Sequence, residues 1–265
     1  MKAATEQDYR RRIARVIDAI GADPGAPHRL ETLAGVAHLS AFHFHRIYRH
    51  VTGERIGITL RRMRLARAAF RLIGSNESVT RIALDLGYDS PQAFSRAFRG
   101  FSGLSPRDFQ GLHAELSHRG AGVSIISLPA FPAVGLAHRG PLATIAQAYR
   151  DLLVALAPDS PGTLIGICRG NPDIPGDFHY VAAAMIDDPQ DSGLERFTLG
   201  GGRYAAYRLV GGYGLIAPTF QTLFQRWLPR SGLRPANRPA LEFYREPERR
   251  GGVLFPVIDL LVPIE

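Results

Sequence analysis

The chain has 265 residues, 45% of them hydrophobic, and a formal net charge of +8. That length fits one or two domains, with ample apolar content for a packed core. Residues 1–119 hold 19 Lys and Arg against 11 Asp and Glu, whereas residues 120–265 hold 13 of each, so all the excess charge lies in the first half. A basic half joined to a neutral one suits a polyanion binder coupled to a second task, with a merely soluble basic surface as the alternative. Lys2 is the only lysine, and arginine bonds phosphate and guanine edges in a bidentate way that lysine does not. The single cysteine, Cys168, excludes an intrachain disulfide and a multi-cysteine zinc site. No stretch approaches the roughly 18 apolar residues of a membrane span, and the N-terminus has no signal core, so a cytoplasmic location is expected. No cofactor or metal is expected either.

In chain order, Tyr9, Ile13, Val16 and Ile20 recur at helical spacing, and Gly21-Ala22-Asp23-Pro24 stops that helix. A short apolar stripe follows at Leu30, Leu33, Ala34 and Ala37. A tight turn leads to Ser40, a side chain suited to cap the next helix. Residues 56–73 read as one long helix with apolar Leu60, Met63, Ala66 and Phe70, and with Arg61, Arg62, Arg64 and Arg67 on its other faces. Ser78 can cap a helix over 79–85, whose stripe is Val79, Ile82, Ala83 and Leu86. Ser90 followed by Pro91, and Ser105 followed by Pro106, each place a cap before a proline at the first helical position.

Within this half, two helices repeat at an offset of 50. Ser40-Ala41-Phe42-His43-Phe44-His45-Arg46-Ile47-Tyr48-Arg49 matches Ser90-Pro91-Gln92-Ala93-Phe94-Ser95-Arg96-Ala97-Phe98-Arg99, and Gly53 matches Gly103. Self-similarity at a fixed offset marks one structural unit used twice. Helix, short turn and capped second helix form a helix-turn-helix. Phe44, Ile47 and Tyr48 point inward, as do Phe94, Ala97 and Phe98. The outward face is Phe42, His45 and Arg46 in the first copy, and Gln92, Ser95 and Arg96 in the second. Arg fits the guanine major-groove edge, Gln the adenine edge, and Phe can pack on a thymine methyl. Solvated residues on an ordinary helical surface are the competing reading.

The segment from Leu30 to Phe109 resembles the DNA-binding domain of AraC/XylS-type transcription regulators. The resembling residues include Leu33-Ala34, Thr52-Gly53, Arg61–Ala68, Ile82-Ala83, Gly87-Tyr88, Phe94–Phe98 and Gly103-Leu104-Ser105-Pro106. The resemblance implies two helix-turn-helix units held by a linker helix, reading successive major-groove segments about 34 Å apart. A single chain could then read an asymmetric site. Gly57 and Thr59 stand where the family usually carries larger or aromatic residues, and His43 and His45 are unusual in the first reading helix.

Residues 116–122 form a short polar linker, and beyond it the pattern becomes mixed. Strands are predicted at 123–128, 133–138, 163–168, 179–185, 196–199, 203–210, 241–245 and 253–261, with helices at 142–156 and 215–228. This half also matches itself, at an offset of 71: Gly140 with Gly211, Tyr149 with Phe220, Leu152 with Leu223 and Leu153 with Phe224. Two such α+β units predict a pseudo-symmetric body whose cleft is a natural ligand site. Glu242 and Tyr244 share one strand face, and a carboxylate beside aromatic rings is chemistry for an organic cation. Tyr149, Tyr207 and Trp227 are candidate aromatic walls. From pattern alone, a solvated edge-strand Glu beside core aromatics is the plainer reading.

Val123–Glu265 resembles the GyrI-like effector-binding domain, a duplicated SHS2 fold. The resembling residues are Ala133–Leu136 with Gly140-Pro141, Gly166-Ile167 with Asn171-Pro172, Gly201–Ala205, Trp227–Gly232, and Pro239-Ala240 with Glu242 and Tyr244. The resemblance implies that Glu242 sits in a central pocket where it meets cationic ligands, with Tyr149, Tyr244 and Trp227 as lining residues. Asn171-Pro172 departs from an acidic residue before proline.

The expected protein is therefore multidomain. Residues 1–116 form an all-α double helix-turn-helix DNA-binding domain, and residues 123–265 a duplicated α+β GyrI-like effector-binding domain. The expected function is a DNA-binding transcription regulator with a small-molecule effector, for which an organic cation is the candidate. Double-stranded DNA is its partner, RNA polymerase a candidate further partner, and no membrane is involved. An enzyme is not expected. The alternative is a hydrolase using Glu242 as base and Tyr244 as acid. A DNA-repair methyl acceptor is a third idea, weakened because Cys168 lies in an apolar strand pattern.

Overall fold

The computed structural model describes residues 3–75, 77–156, 162–170, 177–186 and 194–265. The chain divides into two compact units, residues 1–97 with 140–147 and residues 98–139 with 148–265.

The first unit is helical. It contains α1 (Ala3–Ala22), α2 (Leu30–Val36), α3 (Ala41–Thr52), α4 (Ile56–Gly74) and α5 (Val79–Asp85). Its core gathers Ile13, Val16, Ile17, Ile20, Leu33, Ala34, Phe44, Ile47 and Tyr48, the apolar stripes of α1, α2 and α3. On α4 the most deeply buried positions are Thr59, Leu65, Ala68, Ala69, Leu72 and Ile73. The apolar residues singled out from the sequence, Leu60, Met63, Ala66 and Phe70, are half-buried. Leu65, Ala68, Ala69, Leu72 and Ile73 follow i, i+3, i+4, i+7 and i+8, so the deeply buried stripe lies beside the one read from the sequence. Three of its arginines are structural. Arg62 donates to Glu54 at 2.8 Å, and Arg64 donates to the carbonyls of Pro24 (2.8 Å) and Ala26 (3.1 Å). Arg71 ties the end of α4 to Glu77 and Asp85.

α6 (Pro91–Ser102) carries the chain from the first unit into the second, where α7 (Pro106–Arg119) follows. All four serine caps form. Ser40 accepts from His43 N, Ser78 from Arg81 N, Ser90 from Ala93 N and Ser105 from Asp108 N. Each satisfies an amide that the first helical turn leaves unpaired. Gly53 and Gly103 close α3 and α6 with φ of 77° and 80°, a left-handed region that favours glycine. Before them, Thr52 and Ser102 donate to the carbonyls of Tyr48 (2.7 Å) and Phe98 (2.9 Å). The 50-residue repeat thus extends to hydrogen bonds at both helix ends.

The second unit holds an eight-stranded sheet, all of whose pairings are antiparallel: β1 (Val123–Leu128), β2 (Phe131–His138), β3 (Thr163–Arg169), β4 (His179–Met185), β5 (Glu195–Leu199), β6 (Gly202–Val210), β7 (Ala240–Arg250) and β8 (Val253–Ile264). The order is β1-β6-β8-β7-β3-β4-β2-β5. Residues 129–130 link β1, at one end of this order, to β2, next to the other end. Residues 200–201 make the reverse link from β5 to β6. Two-residue links between opposite ends require the sheet to curl on itself. Its inner face is filled by Phe131, Ile165, Ile167, Leu199, Tyr204, Leu241, Phe243 and Leu261. The rings of Phe131 and Phe243, on strands separated by β3 and β4, stand 6.0 Å apart.

Two helical segments follow matching strands. A 3₁₀ turn (Leu142–Thr144) leads into α8 (Ile145–Ala155), and a second (Tyr213–Leu215) leads into α9 (Ile216–Gln221). α9 continues as a π-helical turn, Thr222–Trp227. Gly140 and Gly211, the pair that begins the 71-residue repeat, have φ of 143° and 156°. Leu152 and Leu223 are both fully buried, and Leu153 and Phe224 are both exposed. Asn171-Pro172 lies outside the described residues.

Candidate functional site

The helix caps and the inward aromatic residues fix the rotation of α3 and α6. Phe44, Tyr48, Phe94 and Phe98 are fully buried. Position 42 then has to face solvent, and Phe42 is 76% exposed, an unusual place for a large aromatic. His45, Arg46, Gln92 and Arg96 are exposed, and Ser95 is half-buried. Arg46, Arg49, Arg96 and Arg99 are exposed and form no ion pair with a described residue. They differ in this from Arg62 and Arg71. Thr59 has a role that its sequence position did not reveal. It accepts from Tyr48 at 2.7 Å and donates to Glu54 at 2.5 Å, fixing α3 on α4. Burial pushes the Tyr48 phenol up to about 12.

The second site follows from the pleat. Paired residues in antiparallel strands share a face, and so do residues two apart. Gly166 pairs with Glu242, and Cys168 pairs with both Ala240 and Tyr180. Gly166, Cys168, Tyr180, Glu242 and Tyr244 therefore stand on one face, opposite the one that carries Phe243 and Ile167. Tyr149 reaches them from α8. Glu242 is 4% exposed, so the solvated edge-strand reading is overturned: β7 lies inside the sheet, between β8 and β3.

The carboxyl is surrounded by hydroxyls. Tyr244 donates to Glu242 Oε2 at 2.6 Å, Tyr180 Oη lies 2.8 Å from the same oxygen, and the Cys168 thiol lies 3.4 Å from Oε1. Tyr149 Oη lies 2.8 Å from Tyr180 Oη and 2.9 Å from the Ile165 carbonyl. Burial pushes the Glu242 carboxyl above the usual range, against the hydrogen bonds of Tyr244, Tyr180 and Cys168, which pull it down. Burial and the neighbouring carboxylate push Tyr149, Tyr180, Tyr244 and Cys168 well above their ordinary values. The tyrosine rings form a wall. Tyr149 and Tyr244 are 5.1 Å apart edge to face, and Tyr213 is 6.0 Å from Tyr244. Gly166 leaves the room for this, since a Cβ there would overlap the Tyr180 hydroxyl and lie 2.6 Å from Glu242 Oε2.

Of the residues expected in this pocket, Glu242, Tyr244 and Tyr149 come together. Trp227 packs its indole on Gly120, just after α7. Tyr207 is buried on β6, beside Gly122. Sequence reasoning missed Tyr180 and the contact of Cys168. The available signal was the β4 alternation Tyr180, Ala182, Ala184, one large polar ring beside two small residues on one face. Among the described residues no group of three His, Cys, Asp or Glu could hold a metal ion, and no helix is long and apolar enough to cross a membrane.

The fold and the two sites define a two-part protein: a repeated helix-turn-helix with exposed arginines, and a duplicated α+β body with a buried carboxyl among tyrosines. The GyrI-like small molecule binding domain matches residues 122–264, and a helix-turn-helix domain matches residues 33–111. The chain belongs to the GyrI-like family and carries an AraC-type helix-turn-helix region before that domain. The transcriptional regulator BrlR of Pseudomonas aeruginosa is 33% identical over 165 residues, 57% of this chain and 59% of BrlR, so the match covers less than two thirds of that relative. The regulatory protein SoxS of Salmonella typhimurium is 33% identical over 98 residues, 37% of this chain and 92% of SoxS. The DNA-binding domain of AdpA, solved in complex with a target DNA, is 30% identical and covers 42% of this chain and 98% of its own, with a TM-score of 0.37.

Proposed function

We propose that this chain is a cytoplasmic, ligand-responsive transcription regulator. Residues 1–116 read duplex DNA through Phe42, His45 and Arg46 on α3 and Gln92, Ser95 and Arg96 on α6. Residues 123–265 sense an organic cation at Glu242, with Tyr244, Tyr149 and Tyr180 as its aromatic surround. The observation that carries the effector reading is a carboxyl 4% exposed, ringed by three tyrosines, with no Arg, Lys or His bonded to it. A buried carboxylate without a cationic partner is costly, and a ligand cation would provide the partner, with ring faces adding attraction. Regulation requires the ligand to favour one of two states of the protein.

Sensing is preferred to hydrolysis because Tyr180 and Tyr244 both hydrogen-bond to the carboxyl that a hydrolase would need as a base. Incubation with candidate esters and amides, followed for product, checks that preference. The effector reading is tested by thermal shift of the full chain against cationic, neutral and anionic aromatic compounds, with Glu242→Gln alongside. A ligand at about 100 times its Kd adds about 2.7 kcal/mol of stability. The proposal expects a cation-selective shift that the variant loses. A shift with neutral compounds that the variant keeps would reject the cationic class.

A further inference from the structure

The hydrogen-bond network around Glu242 can be counted. Four oxygen pairs lie within 3 Å: Tyr244 Oη with Glu242 Oε2 (2.6 Å), Tyr180 Oη with Glu242 Oε2 (2.8 Å), Tyr149 Oη with Tyr180 Oη (2.8 Å), and Tyr149 Oη with the Ile165 carbonyl (2.9 Å). Two oxygens so close need a proton between them. The three phenols supply only three protons, and a carbonyl or carboxylate supplies none. With Glu242 ionised, one of the four contacts sets lone pair against lone pair. One more proton on Glu242 completes the set. Glu242 donates to Tyr180, Tyr180 to Tyr149 and Tyr149 to the Ile165 carbonyl, while Tyr244 donates to Glu242. The longer Tyr180–Tyr244 contact, 3.3 Å, then needs no proton. The Cys168 thiol brings its own to Oε1.

We infer that the unliganded pocket stores a proton on Glu242, as the fourth proton of a tyrosine chain, and that a cationic effector enters by exchange with it. The second half rests on the effector reading above; the first does not. In the exchange the carboxyl O–H bond breaks, the proton leaves to solvent, and the ligand's positive charge takes its place beside the carboxylate. The pocket thereby avoids an unpaired buried charge both when empty and when occupied.

Among the described residues, the groups that act on the Glu242 carboxyl are Tyr244, Tyr180 and Cys168, none of them a cation. On β7 the titratable neighbour is Tyr244, on β3 Cys168, on β4 Tyr180 and on α8 Tyr149. Tyr213 lies behind Tyr244, and His138 on β2 has its ring 6.5 Å from that of Tyr180. On β8 the residue opposite Glu242 is Leu260. Asp259 pairs with Phe243 on the other face and is held by Arg208 and Arg245. Arg150 and Asp151 on α8 make no hydrogen bond or ion pair to Glu242, and Arg226 on the π turn acts on His113. Burial shifts the carboxyl in the same direction as the proton count.

The test is an infrared spectrum of the full chain in the carboxylic-acid carbonyl region. It is taken at a pH about two units above the ordinary Glu value, where an unperturbed side chain is about 99% ionised. The expected result is a protonated-carboxyl band that Glu242→Gln removes. Tyr149→Phe separates the count from simple burial. It deletes one phenol proton but two of the four close contacts, so two protons serve the two that remain, and the band should disappear at lower pH than in the unaltered chain. Simple loss of a polar neighbour would leave or raise that pH. Absence of the band, or a Tyr149→Phe band that persists to equal or higher pH, overturns the inference. For the exchange, the probe is tetraphenylphosphonium, titrated by calorimetry in buffers of different ionisation enthalpy. One proton should be released per cation, with affinity falling about tenfold per pH unit below the carboxyl's titration. Binding without proton release overturns the exchange. A probe that fails to bind at any pH, with the band intact, removes the cation reading and leaves the stored proton standing.

Discussion

His113 offers a direct measure of how α7 is held in the second unit. It is buried, its Nδ1 lies 2.9 Å from Thr222 Oγ1 on the π turn, and its ring is 4.3 Å from that of Phe109. Burial pushes its pKa from the ordinary 6.5 down to about 4, and Arg226 adds to the effect. Between those values the unfolded chain binds a proton that the folded chain refuses, so stability falls as pH falls through this window. A shift of that size is worth about 3 kcal/mol, with about 2 kcal/mol already lost by about pH 5. His113→Leu removes the titration and leaves Thr222 its bond to the Pro218 carbonyl at 3.2 Å. The assay is urea unfolding followed by fluorescence of Trp227, the single tryptophan, which packs beside Gly120 at the end of α7. Unaltered chain minus variant should lose about 3 kcal/mol between about pH 7.5 and about pH 4. A difference that stays flat across that range would refute the claim that His113 is held neutral.

Glu242 works in the opposite direction. Its folded pKa lies above the unfolded value of 4.5, so the folded chain holds the extra proton and stability falls as pH rises through the window above 4.5. Glu242→Gln should therefore gain stability relative to the unaltered chain as pH rises, read from paired thermal melts; a constant offset would contradict this. Gly166→Ala drives a methyl group into the Tyr180 and Glu242 oxygens and should cost about 1–3 kcal/mol in the same melts, whereas an unchanged Tm would mean the pocket has slack. Ser40→Ala and Ser78→Ala each remove a formed helix cap and should each cost about 1 kcal/mol in urea unfolding. DNA affinity should drop steeply between low and physiological salt in an anisotropy titration; a flat response would contradict the charge asymmetry.

Much of this was legible in the sequence because its signals are local. Ser40, Ser78, Ser90 and Ser105 announce helix starts whose geometry depends on three neighbouring residues. The strands alternate or run apolar, and the 50-residue repeat names the inward rings of α3 and α6. The pocket was legible only in part, because it depends on strand order. Whether Glu242 is solvated or buried turns on β7 lying between β8 and β3, and Tyr180 joins it only through the register that sets Cys168 opposite Tyr180. Trp227 looked like pocket aromatic matter in a one-dimensional reading; the π turn over Thr222–Trp227 shifts the helix register, and its indole meets Gly120. The inner packing of α4 was hidden because the helix carries two adjacent apolar stripes, and pattern alone does not say which of them is buried more deeply.

The central claim is that one chain reads two adjacent DNA segments with two equivalent helices. Selection of random duplex DNA by the full chain, with sequencing of the bound pool, tests it most directly when repeated with Arg46→Ala and Arg96→Ala. The account predicts one asymmetric motif with two blocks about one helical turn apart. Each variant should relax a different block, at about 1–3 kcal/mol for the base pair concerned. No enriched motif, or the same block relaxed by both variants, would contradict it.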